Sequence, residues 1–289
     1  MEHVVRAAVM ADMPAVRKVA ARFGLLSGWP QGRDFLDAER AYGTLLLAPG
    51  AAGEAQARAF GGTLRRGGLT HLGDLFVLPE HQSSGVGRAI LSRLLAGDGP
   101  KVTFASSDRR AMGLYVRHGL RPWCPLLYLT GPAAALPAPP ARAIDPGEAA
   151  ARDARASGGD RSATLAWYAA TPGVTAYATG RGYAFTRHTG PVVVVGPAGG
   201  ETPQDCARAV LGALAAATAP GAAGKAGIPL PGTPDTPPEA RIAVPGVHPL
   251  VPELIGAGWR IADMDTFMAD DAALALVRPD RYVPHPDLG

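Results

Sequence analysis

The stretch Gln82-Ser83-Ser84-Gly85-Val86-Gly87-Arg88 runs from a polar loop into Gly87 to Leu95, where Ile90, Leu91, Leu94 and Leu95 fall on one side at helical spacing. A helix N-terminus leaves about four backbone N–H groups without partners and carries partial positive charge, so it suits a phosphate or pyrophosphate. Glycines at 85 and 87 let the backbone approach an anion with no Cβ in the way. The spacing is neither a P-loop, because no GK[ST] follows, nor the GxGxxG of dinucleotide sites. Asp74 is the second chemical signal. It sits in His71-Leu72-Gly73-Asp74-Leu75-Phe76-Val77, where apolar neighbours would desolvate the carboxyl and raise its pKa towards that of a general base. Strict strand alternation puts Leu72, Asp74 and Phe76 on one face and His71, Gly73 and Leu75 on the other, which argues against a His71–Asp74 dyad. His71, His81 and His118 read as surface or structural histidines. Cys124 has no histidine nearby in sequence, so covalent cysteine chemistry is not expected.

These residues must be positioned by a regular alternation of elements. A strand is expected over Val4 to Met10, then Asp12 as N-cap of a helix from Met13 to Phe23, ended by Gly24. A second helix follows from Arg33 to Tyr42, then Leu45 to Leu47 and a turn at Pro49-Gly50. Ala57 to Phe60 and Leu69 to Leu78, with Gly67-Gly68 between them, read as a hairpin closed by Pro79. After the phosphate-type loop and its helix come a strand Lys101 to Ala105, a helix Arg109 to His118 stopped by Gly119, and a strand Trp123 to Thr130.

Residues 131–143, GPAAALPAPPARA, favour extended chain over a packed core and mark a linker between a domain at 1–130 and one at 144–289. The second part repeats the order: helices Pro146 to Arg155 and Ser162 to Ala170, strands Val174 to Ala178, Tyr183 to Thr186 and Val192 to Val195, and a helix Pro203 to Ala217. A long loop Thr218 to Pro238, strand Ala240 to Val244, helix His248 to Ala257 and strand Trp259 to Ala269 complete it. Two halves of comparable order suggest a tandem duplication.

Composition narrows the function classes. Of 289 residues, 47% are hydrophobic and 18% charged, enough apolar material for one or two cores. The 37 glycines and 28 prolines lack a third-residue period and belong to turns and linkers. With 28 basic and 25 acidic residues and no basic block, nucleic acid is not an expected partner. No run reaches the roughly 18 apolar residues of a membrane helix, and MEHVVRAAVMADMP has no apolar h-region, so neither membrane span nor export signal is expected. Cys124 and Cys206 can form one disulfide at most and make no metal site, so the expected setting is a reducing cytoplasm.

Val77-Leu78-Pro79-Glu80-His81 followed by Gln82-Ser83-Ser84-Gly85-Val86-Gly87 resembles motif A of the GNAT superfamily of N-acetyltransferases, Q/R-x-x-G-x-G/A after a strand ending V-x-P. Downstream, Ala111-Met112-Gly113-Leu114-Tyr115-Val116-Arg117-His118-Gly119-Leu120 is similar to the family's A-x-x-L-Y-x-x-x-G-F segment. The resemblance implies an α/β (α+β) fold of two tandem GNAT-like domains, each a mixed, mostly antiparallel sheet flanked by helices. It implies acyl-CoA, most simply acetyl-CoA, as co-substrate without a metal, in a gap between the strands ending near Pro79 and Asp108. The backbone of Leu75, Phe76 and Val77 would pair with the pantetheine arm, and the loop Gln82, Ser83, Ser84, Gly85, Val86, Gly87 and Arg88 would hold the pyrophosphate. Ser107 and Asp108 stand where many relatives carry a pantetheine-contacting asparagine. Tyr115 holds the position of the family's acid, and Asp74 or a water relay is the expected base.

The expected activity is direct N-acylation of a small-molecule amine by a monomer or homodimer. A non-catalytic acyl-CoA-binding module, or an enzyme taking its acyl group from the phosphopantetheine arm of an acyl carrier protein, are the alternatives. The second half resembles a degenerate copy: Ala198-Gly199-Gly200-Glu201-Thr202-Pro203 lacks the glycine motif and places Glu201 where an anion would approach, and no tyrosine precedes Gly258 at the spacing of Tyr115. Coenzyme is therefore expected only in the first half.

Overall fold

A computed structural model of the chain describes residues 3–50, 56–133, 136–219 and 238–289. The loop expected over Thr218 to Pro238 lies mostly outside these residues. In the first half the strands are β1 (Arg6–Ala7), β2 (Gly43–Pro49), β3 (Ala57–Arg66), β4 (Leu69–Val77), β5 (Lys101–Ala105) and β6 (Arg121–Pro132). The helices there are α1 (Met13–Arg22), α2 (Phe35–Tyr42), α3 (Val86–Leu94) and α4 (Arg109–Arg117). The second half adds β7 (Arg142–Ala143), β8 (Val174–Thr179), β9 (Gly182–Thr189), β10 (Val192–Gly199), β11 (Glu239–Pro245), β12 (Arg260–Ala269) and β13 (Tyr282–Val283). Its helices are α5 (Pro146–Asp153), α6 (Ser162–Ala169), α7 (Pro203–Thr218), α8 (Leu250–Gly256) and α9 (Asp271–Leu276).

Local expectations differ from the fold where side chains compete with the backbone. The expected strand Val4 to Met10 is reduced to β1, because the Asp12 carboxylate accepts from Val9 N at 2.8 Å and from Arg6 at 2.6 Å, which curls the chain into a 3-10 turn. Asp12 thus closes that turn and makes no side-chain cap on α1. Asp34, by contrast, caps α2 by accepting from Leu36 N at 3.1 Å. The last strand of the first half continues to Pro132, two residues into the expected linker. Cys124 and Cys206 are both buried free thiols.

The described strands form one continuous sheet in the order β1-β2-β3-β4-β5-β12-β6-β11-β10-β9-β8-β7, with β13 pairing β10 off this path. The two halves exchange strands. β12, from the second half, lies between β5 and β6 of the first, while β6 lies between β12 and β11. The exchange is driven by burial: Phe267, Met268 and Ala269 of β12 are fully enclosed, Met268 among Leu91, Tyr115 and Leu120 of the first half.

Two features shape the cleft. β4 and β5 run parallel and pair only over Thr70–Leu72 with Lys101–Thr103, then part. On its other edge β4 carries one extra residue: Gly62 faces Asp74 but Thr63 faces Leu72, so Gly73 forms a bulge. The bulge resets the alternation expected for this strand. Leu72 packs with Leu75 and Val77 against α3, while Phe76 packs on the opposite side with Phe60 and Phe23, at 5.7 and 5.0 Å between ring centroids. Both glycines at the bulge make room for one side chain, since a Cβ at Gly62 or Gly73 would overlap the Glu39 carboxyl from α2.

The same parting occurs in the second half with a different outcome. β10 pairs in parallel with β11 over Val192–Val195, but beyond that its free edge at Ala198 and Gly199 is taken by Val283 and Tyr282 of β13. The chain itself fills the slot there.

Candidate active site

Where β4 leaves β5, a cleft of about 990 Å³ opens, bounded by the β4 edge, the loop before α3, α4, β12 and the chain after β13. Its walls include Leu75, Phe76, Val77, Gln82, Ser83, Ser84, Gly85, Gly87, Arg88, Asp108, Tyr115 and Asp74. Beyond Leu72 the β5-facing edge of β4 has no strand partner, so its amide groups are free to pair with an extended ligand. The side chains of two expected residues do not line the cleft. Val86 is buried under the loop, where it anchors α3 in the core, and Ser107 faces solvent while its neighbour Ser106 lines the wall.

The loop has the conformation an anion cradle needs. Gly85 lies at φ +94° and Ser83 at φ +61°, left-handed positions of the kind that build anion-binding backbone nests. Ser84 Oγ donates to His81 O at 2.7 Å, and Gln82 Nε2 donates to Val77 O at 3.2 Å, tying the loop to the end of β4. α3 begins directly after Gly85, which has no side chain to cap it, and Val86 N donates to Ser84 Oγ at 3.4 Å. At the other rim Asp108 caps α4, accepting from Arg110 N at 2.8 Å and pairing with the Arg110 guanidinium at 2.9 Å. That hydrogen bond to Arg110 holds the Asp108 carboxyl below the usual range.

The inner end of the cleft is acidic and apolar together. Burial pushes the Asp74 carboxyl from its usual 3.8 up to about 7, with the adjacent Glu39 carboxyl pulling it down and the nearby charge of Asp287 raising it further. Glu39 is wholly enclosed behind it, and its pKa is raised well above normal by burial and then by Asp74. Both Glu39 carboxyl oxygens are buried without a hydrogen-bond partner among the described residues, so burial and the neighbouring Asp74 together favour the protonated acid there. Tyr115 is almost enclosed; burial and then the Asp74 charge raise its pKa, keeping the phenol protonated. Its hydroxyl has no protein partner among the described residues. Across the cleft Tyr128 donates to Asp265 Oδ2 at 2.7 Å, and burial raises the pKa of that carboxyl.

His71 lines the same cleft as Asp74, contrary to the alternation expected from sequence, because the Gly73 bulge brings both to one side. It is no base partner, however. Burial and the charges of Arg66 and Arg161 hold its pKa well below normal, and its ring packs tilted against Phe104, 5.0 Å between centroids. His81 lies on the cleft wall and His118 does not.

Sequence reasoning passed over Glu39, Asp265 and Asp287. Glu39 carried a readable signal: it falls on the α2 stripe of Phe35 and Leu36, three to four residues on, where an acid must be buried. The other two reach the site only through strand exchange and the chain terminus.

A stability consequence follows from the carboxyl pair. A group whose pKa is raised on folding stabilises the chain fully at low pH and loses that contribution as pH rises through the raised value. Glu39→Gln keeps the size and polarity of the side chain and removes the ionisable proton. The variant should therefore match the wild type near pH 4 and exceed it at pH 8 by on the order of 3 °C in Tm. Calorimetric scans at both pH values would check this; equal Tm at pH 8 would mean that burial does not raise the Glu39 pKa.

Among the described residues no helix is long and apolar enough to cross a membrane, and no cluster of metal-ligating side chains occurs. No protein-family model matches the sequence, and no curated protein matches it. Solved structures do. A putative acetyltransferase from Pyrococcus horikoshii is similar over 99% of this chain and 95% of its own, at 16% identity and a TM-score of 0.69. A tandem GNAT protein from the clavulanic acid biosynthesis pathway is similar over 94% of this chain and 99% of its own, at 15% identity and a TM-score of 0.57. A GCN5-related N-acetyltransferase from Kribbella flavida matches 93% of this chain and 70% of its own, at 15% identity and a TM-score of 0.57. With the parted strands, the glycine loop and the repeated halves already described, these likenesses identify the fold of the chain as that of the tandem GCN5-related N-acetyltransferases.

Proposed function

We propose that the protein is an acyl-CoA-dependent N-acyltransferase, with acetyl-CoA as donor and a small-molecule amine as acceptor. The observation that carries this reading is the continuity of one cleft. A free strand edge joins the N-terminus of α3 at its mouth to a buried carboxyl pair and a protonated tyrosine at its inner end. Leu75, Phe76 and Val77 offer backbone amide groups to the pantetheine arm, and the N–H groups from Ser83 to Arg88 face the pyrophosphate. Ser106 and Asp108 border the arm on its other side. Bound acetyl-CoA supplies a thioester carbonyl as electrophile.

Asp74, in its ionised form, takes a proton from the acceptor ammonium, and Glu39 behind it stabilises the proton received. The freed amine nitrogen forms a bond to the thioester carbonyl carbon, and the carbon–sulfur bond breaks. Tyr115 delivers its phenolic proton to the leaving sulfur, and the second proton lost by the nitrogen restores the phenol. Burial that keeps Tyr115 protonated and Asp74 near neutrality sets the two groups to these opposite tasks.

The second half supports the reading of a single coenzyme per chain. Its equivalent strand edge is taken by β13, and α7 is capped by its own Thr202, which accepts from Asp205 N at 3.1 Å. Glu201 is drawn off by Arg181 at 3.0 Å.

The test is calorimetry with acetyl-CoA, followed by amine-dependent release of free thiol across an amine panel. Binding of one equivalent and acceleration by at least one amine are expected; binding without acceleration by any amine would leave only an acyl-CoA-binding module. Tyr115→Phe should retain coenzyme affinity and lower kcat by about 10- to 100-fold, and unchanged kcat would remove the acid role.

A further inference from the structure

After β13 has filled the slot in the second half, the chain from Pro284 to Gly289 crosses to the first half. It is fixed at several points. Arg161, itself buried on Asp153 at 2.8 Å, donates to Leu288 O at 3.2 Å and Gly289 O at 2.7 Å. His285 packs edge-on to Tyr168 at 4.8 Å, and its Nδ1 accepts from Asp287 N at 3.0 Å. Leu288 is enclosed in the core beneath α2. Held in this way, Pro286 and Asp287 form part of the cleft wall.

The Asp287 carboxyl is set for a ligand. Trp29 Nε1 donates to its Oδ2 at 2.8 Å, while its Oδ1 has no hydrogen-bond partner among the described residues. The nearest cation in influence, Arg187, makes no ion pair with it: its Nη2 donates to Gly28 O at 2.6 Å, its Nε to Thr189 Oγ1 at 3.2 Å, its guanidinium lies over Trp29 at 4.2 Å, and its Nη1 has no partner among the described residues. Asp74 and Glu39, both more than nine-tenths buried, form no ion pair among the described residues. The inner cleft therefore combines a carboxylate oxygen seeking a donor with uncompensated acid and with the rings of Phe23, Phe35 and Phe76. An organic ammonium satisfies all three demands.

Building on the acyl-transfer reading, we propose that Asp287 is the acceptor-binding residue. Its free carboxylate oxygen holds the ammonium of the incoming amine beside Asp74, so the tail of the second half completes the acceptor site of the first. The degenerate half then has a definite task. Its vacated coenzyme slot serves as the track along which β13 carries Asp287 to the working cleft.

The experiment uses the full chain and three probes of similar size: n-butylamine, 1,4-diaminobutane and uncharged 1-butanol. Trp29, bonded to Asp287, is the reporter. Its fluorescence should change saturably with either amine and not with the alcohol, and Asp287→Asn should weaken the amine response at least tenfold while acetyl-CoA affinity stays within twofold. Asp287→Glu should recover part of the response. For any amine that is turned over, Asp287→Asn should raise its KM by the same factor with kcat within about threefold.

No saturable amine response in the wild type, equal responses to amine and alcohol, or an unchanged KM in Asp287→Asn would each overturn the proposal. Should Asp287→Asn lose acetyl-CoA binding through misfolding, Trp29→Phe, which frees the carboxyl without removing it, must still raise the amine KM; if it does not, the proposal fails. Amine binding without thiol release would leave Asp287 in place and sink the acyl-transfer reading instead.

Discussion

Asp74→Asn lowers kcat by about 10²- to 10⁴-fold and leaves acetyl-CoA affinity within about twofold. The asparagine is nearly isosteric, so the strand and its bulge persist. What is lost is the group that accepts a proton from the ammonium. The wild-type pH profile should have a matching form: the base works ionised, so kcat/KM rises with pH and levels off above the Asp74 value of about 7. Because the negative charge of Asp287 raises that value, Asp287→Asn should move the midpoint to lower pH. Steady-state rates from pH 5.5 to 9 decide the matter. A profile without an ascending limb near neutrality, or an Asp74→Asn variant with unchanged kcat, would transfer the base role to ordered water.

Gly85→Trp abolishes measurable acetyl-CoA binding, a loss of at least 100-fold read by calorimetry. Two effects add. At φ +94° a Cβ is strained by roughly 1–2 kcal/mol, so the loop backbone shifts and its N–H groups lose their aim. The indole also stands at the cleft mouth, where the pyrophosphate must approach the start of α3. The position is exposed, so the fold should tolerate the change and Tm should fall only slightly. Equal coenzyme affinity in this variant and the wild type would show that the loop holds no phosphate.

Much of this site was legible in the chain because it is encoded by neighbours in sequence. Glycines at 85 and 87, a polar loop and an apolar stripe four residues later can only make an open helix N-terminus after a strand. Asp74 among leucines, phenylalanine and valine could only be desolvated. The loss of the glycine motif at Ala198 to Pro203 was equally plain.

Other parts were not legible, for identifiable reasons. Alternation placed His71 and Asp74 on opposite faces; one extra residue at Gly73 brings both to the cleft, and that residue is admitted because Glu39 from α2 needs the space a Cβ would take. The Val86 side chain packs in the core and the Ser107 side chain faces solvent, so neither lines the cleft, and Val86 has only its backbone to offer there. Asp265 arrives on β12, inserted between β5 and β6 by the burial of Phe267 and Met268.

The sequence by itself determined two halves of similar order, a glycine loop suited to an anion, the acid and base candidates, and the loss of that loop in the second half. Each depends on backbone preferences and periodicities within a dozen residues, where sterics and hydrogen bonding act locally. Only the tertiary structure decided which carboxyls meet at the inner end of the cleft, which strands the halves exchange, and that the parted strand edge of the second half is filled by the chain that brings Asp287 to the first. Those outcomes depend on contacts between residues up to 258 positions apart, as in the bond from Trp29 to Asp287. Such contacts are selected by the burial and register of whole elements, which no local pattern records.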